Sequence, residues 1–131
     1  MQQEAGYEDV SRGLRSDGVS SELPAVGSGL TRKWEKKKEV VYVSSGEGTT
    51  SQGEFHEALN WASREKLPVI FHIEDNRYAI SVHISEQTSG GSVYSMVAGY
   101  QNLARYNVDG TDFFETNLAF QKAVEDRKSV V

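Results

Sequence analysis

The chain has 131 residues, a formal net charge of −5 and no cysteine. That length carries one domain with its own core, the negative balance offers a nucleic acid or an anionic membrane no bulk attraction, and the missing thiol excludes disulfides, a cysteine nucleophile and zinc–thiolate sites. No apolar run approaches the ~18 residues of a bilayer span, and the opening residues lack a basic and apolar secretion pattern, so an intracellular, cytoplasmic location is expected, without nucleic acid or membrane as partner.

Residues 1–22 are polar, rich in Gly, Ser, Asp and Glu, and aperiodic. They read as a loop or disordered segment, which leaves residues 23–131 as the folded domain. Leu23, Val26, Leu30 and Trp34 recur at spacings of three and four and predict a short helix, although Gly27 and Gly29 weaken it. Arg32 to Lys38 holds five cations and reads as a solvated helix end and turn. Val40-Val41-Tyr42-Val43 is β-branched and aromatic, as in a buried strand. Ser51 and Glu54 then match a capping box, and Phe55, Ala58, Leu59 and Ala62 share one helical face. Leu67-Pro68 ends that helix and opens a second buried strand, Val69 to Ile73. Beyond it, Tyr78 to Gly91 reads as a loop over the sheet edge and Val93 to Leu103 as a helix. Tyr106-Asn107-Val108 reads as a short strand and Asp109-Gly110 as a turn. Asp112 is expected to cap a last helix, with Glu115 completing a capping box and Phe113, Phe120 and Val124 on its buried side.

Strand, helix, strand with so long a connection predicts a parallel pair joined by a right-handed crossover. The fold class is therefore α/β: a parallel sheet with flanking helices. Both strands then finish at one edge of the sheet, where open α/β sheets bind ligands. Gly46-Glu47-Gly48 follows the first strand and Glu74-Asp75-Asn76 the second, so Glu47 and Asn76 meet there although they lie 29 positions apart. A carboxylate, an amide oxygen and backbone carbonyls are hard donors suited to Mg²⁺ or Ca²⁺, and Mg²⁺ completes its shell with water and substrate phosphates. The first turn also opens a helix N-terminus, which favours an anion. Order and composition thus suggest a Mg²⁺–diphosphate site, although Gly-Glu-Gly by itself also occurs as a plain turn. Asp75 reads as a turn former, His56 and His72 as structural, and His83 as the histidine nearest the chemistry. Ser44, Ser45 and Ser51 lack a base-and-orienter set, and Trp34 and Trp61 read as packing or subunit-contact residues.

The wider segment "GEGTTSQGEFHEALNWASREKLPVIFHIEDN", followed by "RYAIS", "SEQT" and "NVDGTD", resembles the alpha chain of the thiamine-diphosphate-dependent first component of 2-oxo acid dehydrogenases. The resemblance runs from about Gly18 to Lys128 and rests on several blocks in family order. It implies an incomplete thiamine-diphosphate-binding fold, with Mg²⁺ held by Glu47, the Asn76 side-chain oxygen and the Tyr78 main-chain carbonyl. It also implies a cofactor motif in Gly46, Glu47 and Gly48, with the Gly48 and Thr49 N–H groups facing the diphosphate. Ile80 would meet the aminopyrimidine through its main chain, and Ser85 to Thr88 would lie near the active-site entrance.

The activity implied is oxidative decarboxylation of a 2-oxo acid with acyl transfer to a lipoyl group. The implied partners are a beta chain, in a heterotetramer, and a lipoyl acyltransferase component; the glutamate that activates the cofactor belongs to the beta chain. Glu47 replaces the commoner aspartate of the motif, and with "YAIS…SEQ" this tilts the substrate toward a branched-chain 2-oxo acid, with pyruvate second. "LPAVG" is one residue shorter than its family counterpart. The regions expected upstream and downstream are missing, so a fragment that is inactive alone is expected. The rival readings are a transketolase-like or acetoin-cleaving enzyme and a truncated, non-catalytic piece.

Overall fold

The computed structural model describes residues 7–9 and 21–126. The remainder of residues 1–22 and the last five residues lie outside this range. In chain order the elements are β1 (Tyr7–Asp9), α1 (Glu22–Trp34), β2 (Val40–Gly46), α2 (Gly53–Glu65), β3 (Val69–Glu74), β4 (Tyr78–Ala79), β5 (Val82–His83), α3 (Ile84–Gln87), α4 (Val93–Met96) and α5 (Phe113–Asp126). β1 is a departure from expectation: part of the polar leader pairs with β2 in parallel, Tyr7 opposite Val40.

β2 is the centre of a three-stranded sheet of order β1-β2-β3. It pairs with β3 in parallel from Val41↔Val69 to Gly46↔Glu74, as the crossover argument requires. Residues along a strand alternate between faces, and the two cores follow that alternation. Val41, Val43, Val69 and Phe71 pack with Phe55, Leu59 and Ala62 of α2 and Ala25 and Val26 of α1. Val40 and Ile70 face the other way, against Ala123 with Phe120 and Val124 of α5. The sheet is thus covered by helices on both sides, the usual solution for parallel strands. Among the described residues no helix is long and apolar enough to cross a membrane.

α1 contains a glycine because it packs too closely for a side chain. A Cβ on Gly29 would lie 2.5 Å from Val69 Cγ2, so the residue that weakens helix propensity is the one that lets α1 approach β3. Glu22 in the first turn and Arg32 and Lys33 in the last complement the helix dipole. The five-cation stretch is solvated as expected, with Arg32 and Lys37 both paired to Glu35.

Several local expectations change. Ser51 does not cap α2: the chain after Gly46 first winds a 3-10 turn, Glu47–Ser51, and α2 starts at Gly53 with Gln52 at its cap position and no side-chain cap. Tyr78 to Gly91 is not plain loop. Asp75 Oδ1 accepts the Arg77 N–H and Asn76 Oδ1 the Tyr78 N–H, and these Asx turns fold the chain into the β4–β5 hairpin. The helix expected over Val93 to Leu103 stops at Met96 and passes into a 3-10 turn, Val97–Gly99.

Tyr106 to Val108 is irregular rather than a strand; the Tyr106 side chain packs on the Val40–Ile70–Ala123 core, so its apolar character reports burial and not pairing. Asp112 does cap α5, accepting from Phe114 and Glu115 N–H at 2.9 and 3.0 Å. Glu115 does not close a capping box, because the Asp112 N–H is already given to the Asp109 carbonyl. Phe113 is 73% exposed, since the buried stripe of α5 begins later, at Phe120.

Candidate functional site

β2 and β3 end side by side, and a cleft of about 420 Å³ opens at that edge. Its walls are the end of β2, the 3-10 turn, the end of β3 and the β4 arm of the hairpin: Ser44 to Thr49, Glu74, Asn76 and Tyr78 to Ile80. All seven site residues named from sequence, Gly46, Glu47, Gly48, Thr49, Asn76, Tyr78 and Ile80, lie in this wall.

Glu47 is 3% exposed, which rules out the plain surface-turn alternative. Its Oε1 is buried without any hydrogen-bond partner. A carboxylate taken from water and left unpaired is costly unless a partner arrives, and an oxygen donor of this kind fits a cation. Its backbone is fixed locally: Thr50 Oγ1, fully buried, donates to the Glu47 carbonyl at 2.6 Å. Asn76 keeps its amide oxygen at the cleft through the 2.8 Å bond from Tyr78 N–H, and that oxygen retains a second lone pair. Among the described residues no three His, Asp or Glu side chains cluster as a metal site; a cation held here draws on amide, carbonyl and water oxygens beside one carboxylate, which is the donor set of Mg²⁺.

Gly48 is required by contact. A Cβ there would stand 2.6 Å from the Cβ of Ala79, so the 3-10 turn and the hairpin touch backbone to side chain across the cleft floor. Ile80 occupies the left-handed region at φ 58° and is fully exposed at the hairpin tip, and Arg77 has φ 69°. A β-branched residue in that region carries strain of about 1–3 kcal/mol, a feature that clusters at ligand clamps.

The other candidates fall outside the cleft wall. His72 accepts or donates at 2.7 Å with the Tyr42 hydroxyl and meets Phe120 edge-on, a structural role. His56 is bonded to the Tyr100 hydroxyl, whose pKa burial pushes up. His83 caps α3 through Ser85 and stacks edge-on against Tyr78. Asp75 is a turn former, as expected. Trp34 and Trp61 are exposed and away from the cleft, Trp61 beneath the Arg64 guanidinium.

Two acidic residues were not assigned from sequence. Glu22, 1% exposed, accepts from the Ser45 hydroxyl, anchoring the end of β2 to the first turn of α1. Glu74 accepts from Ser44 Oγ at 2.8 Å. A glutamate at a helix start reads as a dipole partner, and only the fold reveals that it is buried. Glu74 had a signal, its place at a strand end beside Asn76.

The family model described as "Dehydrogenase E1 component" matches residues 9–130. The 2-oxoisovalerate dehydrogenase subunit alpha of Bacillus subtilis is 40% identical over 111 residues, which is 84% of this chain and 33% of that protein. The alpha subunit of acetoin:2,6-dichlorophenolindophenol oxidoreductase from the same organism is 36% identical over 101 residues, 77% of this chain and 30% of that protein. A solved structure from Mycobacterium smegmatis, described as a thiamin diphosphate-dependent enzyme, superposes with a TM-score of 0.66 at 27% identity, covering 88% of this chain and 22% of that one. The chain spans about a quarter to a third of the length of the curated relatives it matches.

Proposed function

Because the chain belongs to the dehydrogenase E1 component family, as part of an alpha subunit of 2-oxo acid dehydrogenase type, we propose that its cleft is the Mg²⁺-binding half of a thiamine diphosphate site. The observation that carries this reading is Glu47: a buried carboxylate oxygen with no partner, at the carboxyl edge of two parallel strands.

Glu47 holds the cation, with the Asn76 amide oxygen and the Tyr78 carbonyl beside it. Gly48 lets the turn pack against the hairpin, and its N–H and that of Thr49 would hold the diphosphate. Ile80 orients the cofactor's ring through its main chain. When bound, thiamine diphosphate supplies the carbanion chemistry that removes CO₂ from a 2-oxo acid, and the protein supplies metal, orientation and electrostatics. In the whole enzyme a beta chain closes the site and a lipoyl acyltransferase component receives the acyl group. The substrate is a branched-chain 2-oxo acid, supported by the 40% identity to a 2-oxoisovalerate dehydrogenase subunit. A second reading, acetoin cleavage, is favoured by the 36% identity to an acetoin oxidoreductase subunit.

The test is calorimetric titration of the purified chain with thiamine diphosphate, with and without Mg²⁺, beside a Glu47→Ala control. Mg²⁺-dependent binding that the control loses is the expected result. Equal binding by the control, or none by a folded wild-type chain, overturns the reading. Substrate is decided separately, by comparing turnover of 2-oxoisovalerate, pyruvate and acetoin in the complete enzyme.

A further inference from the structure

The cleft contains two carboxylates, and the function proposed above uses one. Glu74 closes β3 in register with Gly46, which sets it across the strand pair from the start of the Glu47 turn. Ser44 Oγ donates to its Oε1 at 2.8 Å, so the carboxylate is held at the cleft wall although the residue is exposed. Glu74 forms no ion pair among the described residues, whose ion pairs involve Glu35 and Glu65. Among the described residues no lysine, arginine or histidine lines the cleft. Glu47, deeply buried with Oε1 unpartnered, adds a second negative charge.

A cleft of this charge attracts a divalent cation and repels a free diphosphate. Both effects act through space, so neither needs Glu74 to touch the ligand. We infer that Glu74 is a specificity-determining residue that orders loading: the divalent cation enters first, and the diphosphate is accepted only against a site the cation has already neutralised. This rests on the reading of the cleft as a cation–diphosphate site. Ser44 is the positioning residue that keeps the carboxylate in place.

The experiment titrates the full 131-residue chain with Mg²⁺ alone and with inorganic diphosphate, with and without Mg²⁺, for wild type, Glu74→Gln, Glu74→Asp, Ser44→Ala and Glu47→Ala. Circular dichroism establishes that each variant is folded. Glu74→Gln is expected to weaken Mg²⁺ by about three- to tenfold and to strengthen metal-free diphosphate by a similar factor, both effects shrinking with added salt. Glu74→Asp keeps the charge and should behave as wild type, and Ser44→Ala should shift both ligands in the same directions as Glu74→Gln by less. Opposite shifts for cation and anion are a signature that a loss of packing does not produce. If Glu74→Gln binds both ligands as wild type does while Glu47→Ala has lost Mg²⁺, the loading role is wrong and the site stands. Equal losses in Glu74→Gln and Glu74→Asp also overturn the role, since shape and not charge would then be responsible. Wild-type Mg²⁺ binding by Glu47→Ala, or no binding by wild type, overturns the site itself and the inference with it.

Discussion

Glu47 and Gly48 are neighbours with opposite costs. Glu47 keeps a buried oxygen unsatisfied, a penalty of about 1–3 kcal/mol for the unbound chain. Glu47→Gln removes the charge with little change of shape, so in metal-free buffer its thermal midpoint should equal or exceed that of wild type. Added Mg²⁺ should raise the wild-type midpoint through binding linkage and leave the variant where it was; differential scanning calorimetry reads both. A stabilised but ligand-blind variant is the pattern of a residue kept for binding rather than folding. At this scale the sequence is informative where chemistry and spacing coincide. Glu47 and Asn76 stand out because each follows an apolar strand. Glu22 does not, because its burial depends on how α1 meets β2, and nothing local to "SSELPAVG" encodes that contact.

Elements are placed by close approaches and by caps. Gly29→Ala gains about 1 kcal/mol of helix propensity, but the new methyl would stand 2.5 Å from Val69 Cγ2, and overpacking of a tight core costs about 1–3 kcal/mol. The packing term wins, so the urea midpoint should fall. Asp112→Ala removes the acceptor for two N–H groups of α5 and should cost about 1 kcal/mol, read from the same denaturation curves.

α1 and α2 are tied at their C-terminal ends by Lys33, which donates to the Glu65 carboxylate and carbonyl. The Lys33 hydrogen bond holds the Glu65 pKa below its ordinary value of 4.5. A depressed folded value means that the pair stabilises above 4.5 and that this contribution is lost as pH falls through the lower folded value. Lys33→Met should therefore be slightly less stable than wild type at neutral pH, with the gap closing in acid; denaturation at a series of pH values shows whether it does. The strands and long helices are legible because burial imposes a period on their side chains. The hairpin, the 3-10 turns and the irregular stretch through Tyr106 are not: Asx bonds and single packing contacts decide them, and these carry no period.

Among the described residues the cleft is walled on one side. Its wall comes from the ends of β2 and β3, the 3-10 turn and the hairpin, and Ile80 at the rim is fully solvated. Several large apolar groups are also exposed, among them Trp34, Phe114 and Leu118, as expected of a segment that spans about a quarter to a third of its relatives. A site open to water lacks the exclusion on which acyl and carbanion chemistry depends. The purified chain, supplied with Mg²⁺ and thiamine diphosphate, should release no CO₂ from 2-oxoisovalerate or pyruvate above the protein-free rate, even if it binds the cofactor. Turnover by the chain alone would refute this.

Among the described residues the wall of the cleft is drawn from one stretch of the chain, Ser44 to Ile80. Its contacts still bridge about 30 residues, Ser44 to Glu74 among them, so the entropy of closing the crossover must be met before the parallel pair rewards it. During synthesis the wall is complete only when the crossover and the hairpin after it have both left the ribosome. Such a unit can also be copied, spliced or lost as a single stretch of gene, carrying the whole cleft wall with it.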